Sequence, residues 1–437
     1  MRRIALAVTV LAALAGVASA NGRAPGTSTI NFRQGHEQDI AAGMTFGLVI
    51  SHDGGTTWNW MCETAVGYGG LWDPDYSYSS SGALFATTFN GLKVMRNGCT
   101  FDDTPPGNLF VSHDQLGSDG SLLFASVDAT DDKIYKSTDD GMSFPASTTP
   151  PGAMLNDWYE TLYILPTDSQ KVWLASYRFS GQTKTVYVYK SVDGGASFTA
   201  VTTNGITGVT SSSSLSIEGV DGAGNTYARL TYAGGVMTDN IYKLVPNGTS
   251  WTQILSKPDT IAFLVRSNGD LVAGTKTQGA YVSTNQGGNW TALTNPPHIN
   301  CLVENSAHEV WACTQNYGDS TMSIPSDGYG IMKTTDLATW TGVLKYENIA
   351  GPVTCAAGTK QQDSCVAMTW CGLRTQLGIT ANPVDCTAPL PDGPPDAAVV
   401  HPPKKGSTGW CDSGSGNAGP ITMGLLVGLL LLRRKRC

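Results

Sequence analysis

The chain is predicted to be all-β, a seven-bladed β-propeller of four-stranded antiparallel blades, and two observations lead there. An eight-residue pattern, Ser-x-Asp-x-Gly-x-polar-aromatic, recurs in register, with 39 to 54 residues between successive terminal aromatics. Such a period means one supersecondary unit per copy, too small to bury its own apolar face and therefore stacked on its neighbours. Composition agrees. Charged residues are 14% of the chain against roughly 25% in average proteins, glycine is abundant at 51 of 437 residues, and no stretch carries a long helical apolar period.

The first copy is SHDGGTTW (51–58), marked by Ser51, Asp53, Gly55 and Trp58. An Asp in such a corner accepts bonds from nearby backbone N–H groups, the glycine takes a conformation a side chain forbids, and the aromatic wedges against neighbouring structure. Further copies are STDDGMSF (137–144; Ser137, Asp139, Gly141, Phe144), SVDGGASF (191–198; Ser191, Asp193, Gly195, Phe198) and STNQGGNW (283–290; Ser283, Asn285, Gly287, Trp290). TTDLATW (334–340) is a shortened version, and two worn copies keep Gly98, Thr100 and Phe101, then Gly248, Ser250 and Trp251. Short β-prone runs precede each corner: TLYILP (161–166) as an inner strand, KVWLASY (171–177) next, VYVYK (186–190) before the box. With the strand after the box, each repeat supplies four strands, and a ring of such blades leaves only short edges.

These boxes resemble the Asp-box, or BNR repeat, of propellers of the sialidase and sortilin type, over roughly residues 28 to 345. The resemblance implies that each box is the turn between the third and fourth strands, on the outer part of a blade and away from the central site. It is specific for fold and not for activity.

The termini carry different signals. Arg2 and Arg3, an apolar run and Ala18-Ser19-Ala20 read as a signal peptide over 1–20, cleaved after Ala20. The propeller is expected over 21–350, a Cys-rich closing segment over 351–388 and a Pro/Gly-rich linker over 389–410. The tail 411–437 has Cys411, a Gly/Ser spacer, one short apolar helix and a basic cluster, and it resembles the sorting signal of myxobacterial surface proteins. That resemblance implies processing near Cys411 and retention at the surface of a Gram-negative cell; the alternative is a single-span tail anchor, and in either case the membrane is met through this helix.

Export suits disulfides. The expected pairs are Cys62–Cys99, Cys301–Cys313, Cys355–Cys365 and Cys371–Cys386. Ring closure has two readings. Thr29 to Gly35 can complete seven whole blades, leaving the closing segment as an appendage, or PVTCAAG (352–358) and SCVAMTW (364–370) add strands.

The chain carries 27 basic and 35 acidic residues, a net charge of −8, which argues against a nucleic-acid partner. No cofactor or metal is expected: DATDDK (128–133) reads as a solvated turn, and His36, His52, His113, His298 and His308 fall in no ligand spacing. The reading is a monomeric binding, recognition or structural module for a glycan or protein at the cell surface. Its candidate binding face is Trp72, Asp73, Asp75 and Tyr76 with Asp157, Trp158, Tyr159 and Glu160, aromatics that can stack on a ligand beside acids that can orient it. The alternative is a sialidase-like glycoside hydrolase. Three arginines would have to converge on a carboxylate from among Arg33, Arg96, Arg178, Arg229 and Arg266, yet FRQG (32–35) departs from the motif expected before the first box. A two-carboxylate mechanism, as in Asp-box xyloglucan-cleaving enzymes, would draw on Asp73, Asp75, Asp157 and Glu160.

Overall fold

A computed structural model describes residues 24–69, 73–127, 131–155, 157–235, 238–320, 322–381 and 383–386. Seven four-stranded antiparallel meanders follow one another along the chain, each built from one contiguous stretch. Blade 4 is typical, with Trp158–Leu165 innermost, then Asp168–Ser180, Thr183–Ser191 and Thr199–Val201 outermost. The other innermost strands are Thr27–Phe32, Tyr76–Tyr78, Val111–Leu116, Leu215–Val220, Thr260–Val265 and Cys301–Glu304.

Burial follows position in the blade. Second strands such as Ile40–Met44, Leu84–Thr88, Leu122–Ser126 and Leu271–Thr275 are buried at every residue, because adjoining blades cover both faces, and they are written in small residues with leucine and phenylalanine among them. Outermost strands such as Ala146–Thr148 and Thr199–Val201 stay largely in solvent. The core therefore lies between blades. Phe85 and Val94 of blade 2 pack with Leu122 and Phe124 of blade 3, Leu123 of blade 3 with Leu174 of blade 4, and Tyr227 of blade 5 with Phe263 of blade 6.

The recurring corners share one hydrogen-bond pattern. In blade 1, Ser51 Oγ donates to Asp53 Oδ1 (2.8 Å) and accepts from the Gly55 N–H (2.9 Å), while Asp53 Oδ1 also accepts from the Thr56 and Thr57 N–H groups (3.0 and 2.8 Å). Three of these links, the serine hydroxyl to the acid or amide, the glycine N–H to the serine and the Thr57-type N–H, recur at Ser137/Asp139, Ser191/Asp193 and Ser283/Asn285. The shortened copy uses Thr334 and Asp336, and in the worn copy of blade 2 Asn97 accepts from Cys99 and Thr100. Each corner also meets the blade before it. A Cβ at Gly141, Gly195 or Gly287 would stand 2.6 Å from Phe85, 2.4 Å from Leu123 or 2.5 Å from Ile254, and one at Gly55 would stand 2.8 Å from Val343 of blade 7. Arg96, Lys136 and Lys243 each donate to a corner carbonyl of the next blade, those of Asp140, Gly194 and Gln286.

Blade 7 meets blade 1 directly, as with Phe32 against Trp311, whose ring centroids are 5.1 Å apart. The closing segment then wraps the outer edge of blade 1. Gly351–Pro352 pairs in parallel with Asn59 and Trp60, and the Gln361 amide, fully buried, donates to the Trp60 carbonyl (2.9 Å). Residues 361–369 form a π-helical stretch continued by the α-helix Trp370–Gln376, so SCVAMTW is not an added strand and the seven blades are whole without it.

The disulfides correct two expected pairs. Cys62 bonds Cys365 and Cys99 bonds Cys355, in place of Cys62–Cys99 and Cys355–Cys365. Pairing by nearness along the chain fails here because ring closure carries the C-terminal segment onto blades 1 and 2. Cys301–Cys313 forms as expected, across the first hairpin of blade 7. Cys371 and Cys386 are disulfide-bonded as well. The propeller and its closing segment form one compact unit ending at Pro383. The expected signal peptide with Ala20, and the expected linker and tail with Cys411, lie outside the described residues, as does Trp72. No helix among the described residues is long and apolar enough to cross a membrane.

Candidate binding site at the central channel

The innermost strands enclose a channel of about 540 Å³, walled by residues of blades 1, 2, 3, 4, 5 and 7. The meander topology gives it two unlike ends. The third strand of a blade runs the same way as the first, so every recurring corner lies at the end where the innermost strands finish. Asp75, His113, Trp158 and Glu160 belong to the end where those strands begin, with the loops that join one blade to the next.

At that beginning end, the two predicted segments stand on blades 2 and 4, and blade 3 links them. Asp75 is ion-paired with His113, and its own N–H is bonded to the Thr87 hydroxyl (2.9 Å). Trp158 stacks edge-on against Phe110 of blade 3 at 5.1 Å, which meets Phe89 of blade 2 at 4.6 Å, so an aromatic chain spans three blades. Glu160 faces Lys184 at 4.0 Å, and the Lys184 ammonium sits 3.6 Å over the Tyr177 ring. Burial raises the Glu160 carboxyl above its ordinary range despite Lys184, and lowers the Lys184 ammonium despite Glu160. The long second hairpin of blade 4, which carries Lys184, reaches beyond its neighbours at this end.

Other members of the predicted face are built into the fold. Asp157 is fully buried and takes a two-pronged bond from Arg178 at 2.5 and 2.6 Å, with the Met154 N–H as a third donor (3.0 Å). Tyr159 is fully buried and its hydroxyl donates to the Asp132 carbonyl (3.4 Å). Tyr76 is also buried, which raises its phenol well above the ordinary range, with the Asp73 charge adding to the effect. Asp73 precedes the innermost strand of blade 2.

Sequence reasoning missed His113 and Asp114, which stand side by side in the innermost strand of blade 3 and both line the channel. Burial works against the His113 charge, but Asp75, then Asp114 and Glu160, raise its pKa to about 9. Asp114 is raised to about 8 by its own burial, with the Asp75 charge adding; Ser77 and His113 offset only part. The sequence VSHDQL (111–116) does hold two adjacent titratable residues in an innermost strand, but it does not say which of its side chains face the axis.

The arginines do not form a carboxylate clamp. Arg33 pairs with Asp39, Arg178 with Asp157, Arg229 with Glu218 and Arg266 with Glu304, and Arg96 donates to the Asp140 carbonyl. Arg33 and Arg266 follow innermost strands, whereas Arg178 and Arg229 lie towards the opposite end. Among the described residues, no arginine or lysine lines the channel. No group of three or more His, Cys, Asp or Glu side chains among them is arranged to hold a metal ion.

No protein-family model matches the chain, and no curated protein matches it. Solved structures are similar to it in fold. One is the extracellular domain of a one-component system from B. thetaiotaomicron, at 13% identity over 67% of this chain and 38% of that one, with a TM-score of 0.47. An ancestral GH74 enzyme is 14% identical over 67% of this chain and 44% of its own, with a TM-score of 0.47. YCF48 from Cyanidioschyzon merolae is 13% identical over 72% and 84%, with a TM-score of 0.38. The chain spans less than half the length of the first two.

Proposed function

We propose that the protein is an exported binding module that takes a glycan at the channel, from the end opposite the Asp-box corners, and that its C-terminal tail retains it at the cell surface. One observation carries this reading. The end where the innermost strands begin gathers Asp75–His113, Glu160–Lys184 and the partly buried Trp158 from three successive blades, polar groups beside an aromatic plane, which is the chemistry that orients a sugar. Disulfides joining blades 1 and 2 to the closing segment support export to an oxidising compartment. Hydrolysis of an acidic sugar finds no support in a channel wall that carries Glu37, Asp75, Asp114 and Glu304 and, among the described residues, neither lysine nor arginine.

The test is a glycan-array and glycosidase screen on the purified protein, followed by titration of the best ligand against Trp158→Ala and Glu160→Gln. Each variant is expected to keep its melting cooperativity and to bind at least tenfold more weakly, about 1.4 kcal/mol. Unchanged affinity in both folded variants would move the site elsewhere, and turnover without tight binding would favour an enzyme.

A further inference from the structure

We propose that the channel receives the ammonium group of an amino sugar and that Asp114 is its counter-ion, an inference that rests on the glycan reading above. Four acids line the channel, and three are already engaged. Glu37 accepts from the Ser306 N–H and hydroxyl (2.9 and 2.6 Å), Glu304 from Arg266 Nε and the Ser267 N–H (3.0 and 2.6 Å), and Asp75 holds His113. Asp114 is different. It is only 6% exposed, Ser77 is the hydrogen-bonding side chain beside it, and neither of its carboxyl oxygens is met by a charged donor or at full hydrogen-bond geometry.

A buried carboxyl without a charged donor costs free energy that a docking cation returns, so the channel is complementary to a positive, hydrogen-bond-donating group. Burial, with the Asp75 charge adding, pushes the Asp114 carboxyl up to about 8, and Ser77 and the His113 charge offset only part of this. The acids around it are not grouped as a metal site among the described residues, which favours an ammonium with its three N–H donors over a bare ion. Thr161 and Gln115 add neutral polar groups to the wall, and Tyr78 and Tyr163 add aromatic rings; the volume of about 540 Å³ falls within the roughly 300–1,000 Å³ of small-ligand pockets. An anionic sugar meets only repulsion here, because His113 is the one basic residue among the described lining and it is held by Asp75.

The experiment is calorimetric titration of the full-length protein with the glucosamine disaccharide and with its N,N′-diacetylated form, in wild type and Asp114→Asn. The free-amine sugar should bind wild type at least tenfold more tightly than the acetylated one, and Asp114→Asn should abolish that preference while melting no lower than wild type. Equal affinity of the two sugars for wild type, or a preference that survives Asp114→Asn, overturns the ammonium site while leaving the glycan reading intact. The wild-type comparison stands even if the variant misfolds. A third ligand, Nα-acetyl-lysine methylamide, separates the source of the charge: if it binds and the amino sugar does not, the amino-sugar assignment fails. Binding of neither disaccharide alongside a hit elsewhere on the array also defeats this inference alone, whereas an empty array removes both readings.

Discussion

Gly195 shows what a single residue does in this ring. Its φ is +84° and a Cβ would stand 2.4 Å from Leu123 of the preceding blade, so a side chain there meets both backbone strain and a clash. Gly152 has a similar φ of +74° but nothing within 4 Å of its missing Cβ. Gly195→Ala should therefore cost about 2–4 kcal/mol and Gly152→Ala about 1 kcal/mol in denaturant unfolding. Equal losses would mean that the corner glycines serve the turn alone and do not seat one blade on the next. The same scale explains why Asp157 and Tyr159 are poor ligand contacts. Both lie in loop-like sequence beside Trp158, yet Arg178 and the Asp132 carbonyl engage them inside the protein.

The corner as an element is an acid-sensitive device. Asp139, Asp193 and Asp336 are held at about 2, chiefly by the Ser143 hydroxyl, the Ser197 hydroxyl and the Thr339 N–H respectively. An unfolded Asp titrates near 3.9, so these folded values are depressed. Their contribution is complete above about pH 4 and is lost as pH falls towards 2. Thermal melts recorded from pH 5 to 2 should show a steep decline in wild type, and a shallower one in the triple variant Asp139→Asn, Asp193→Asn, Asp336→Asn. Asn285 already fills this place in blade 6, so the triple variant should remain folded at pH 7. Parallel declines in the two proteins would assign acid sensitivity to other groups.

At the scale of the molecule, the ring is closed by contacts of blade 7 with blade 1 and fastened from outside. Gly351–Pro352 lies on the outer strand of blade 1, and Cys62–Cys365 and Cys99–Cys355 close chain loops of 303 and 256 residues. Loops of that length constrain the unfolded chain strongly, and a native disulfide typically contributes about 2–5 kcal/mol. Cys99→Ser with Cys355→Ser should lower stability by that amount, while Cys301→Ser with Cys313→Ser, which opens a loop of only 12 residues, should cost less. Hydrogen exchange reports the place of the change: opening the long loops should expose amides of blade 1 near Asn59 and Trp60. Protection lost evenly around the ring would count against a local latch.

Much of this was legible in the residues themselves. A corner such as the one from Ser191 to Ser197 satisfies its own hydrogen bonds within seven residues, so its conformation is encoded locally and its repetition counts the blades. The strand order within each blade follows, because adjacent strands joined by short turns have no other partner within reach. What needed the tertiary structure is whatever depends on the ring being closed. Cys365 reaches Cys62 only after seven blades have turned the chain back on itself. In a strand covered on both sides, alternation does not say which side chains face the axis, so the channel position of His113 and Asp114 could not be read from VSHDQL alone. Local hydrogen bonding thus determined the repeat and the fold, whereas long-range closure decided the disulfides and which buried acid was left without a charged donor.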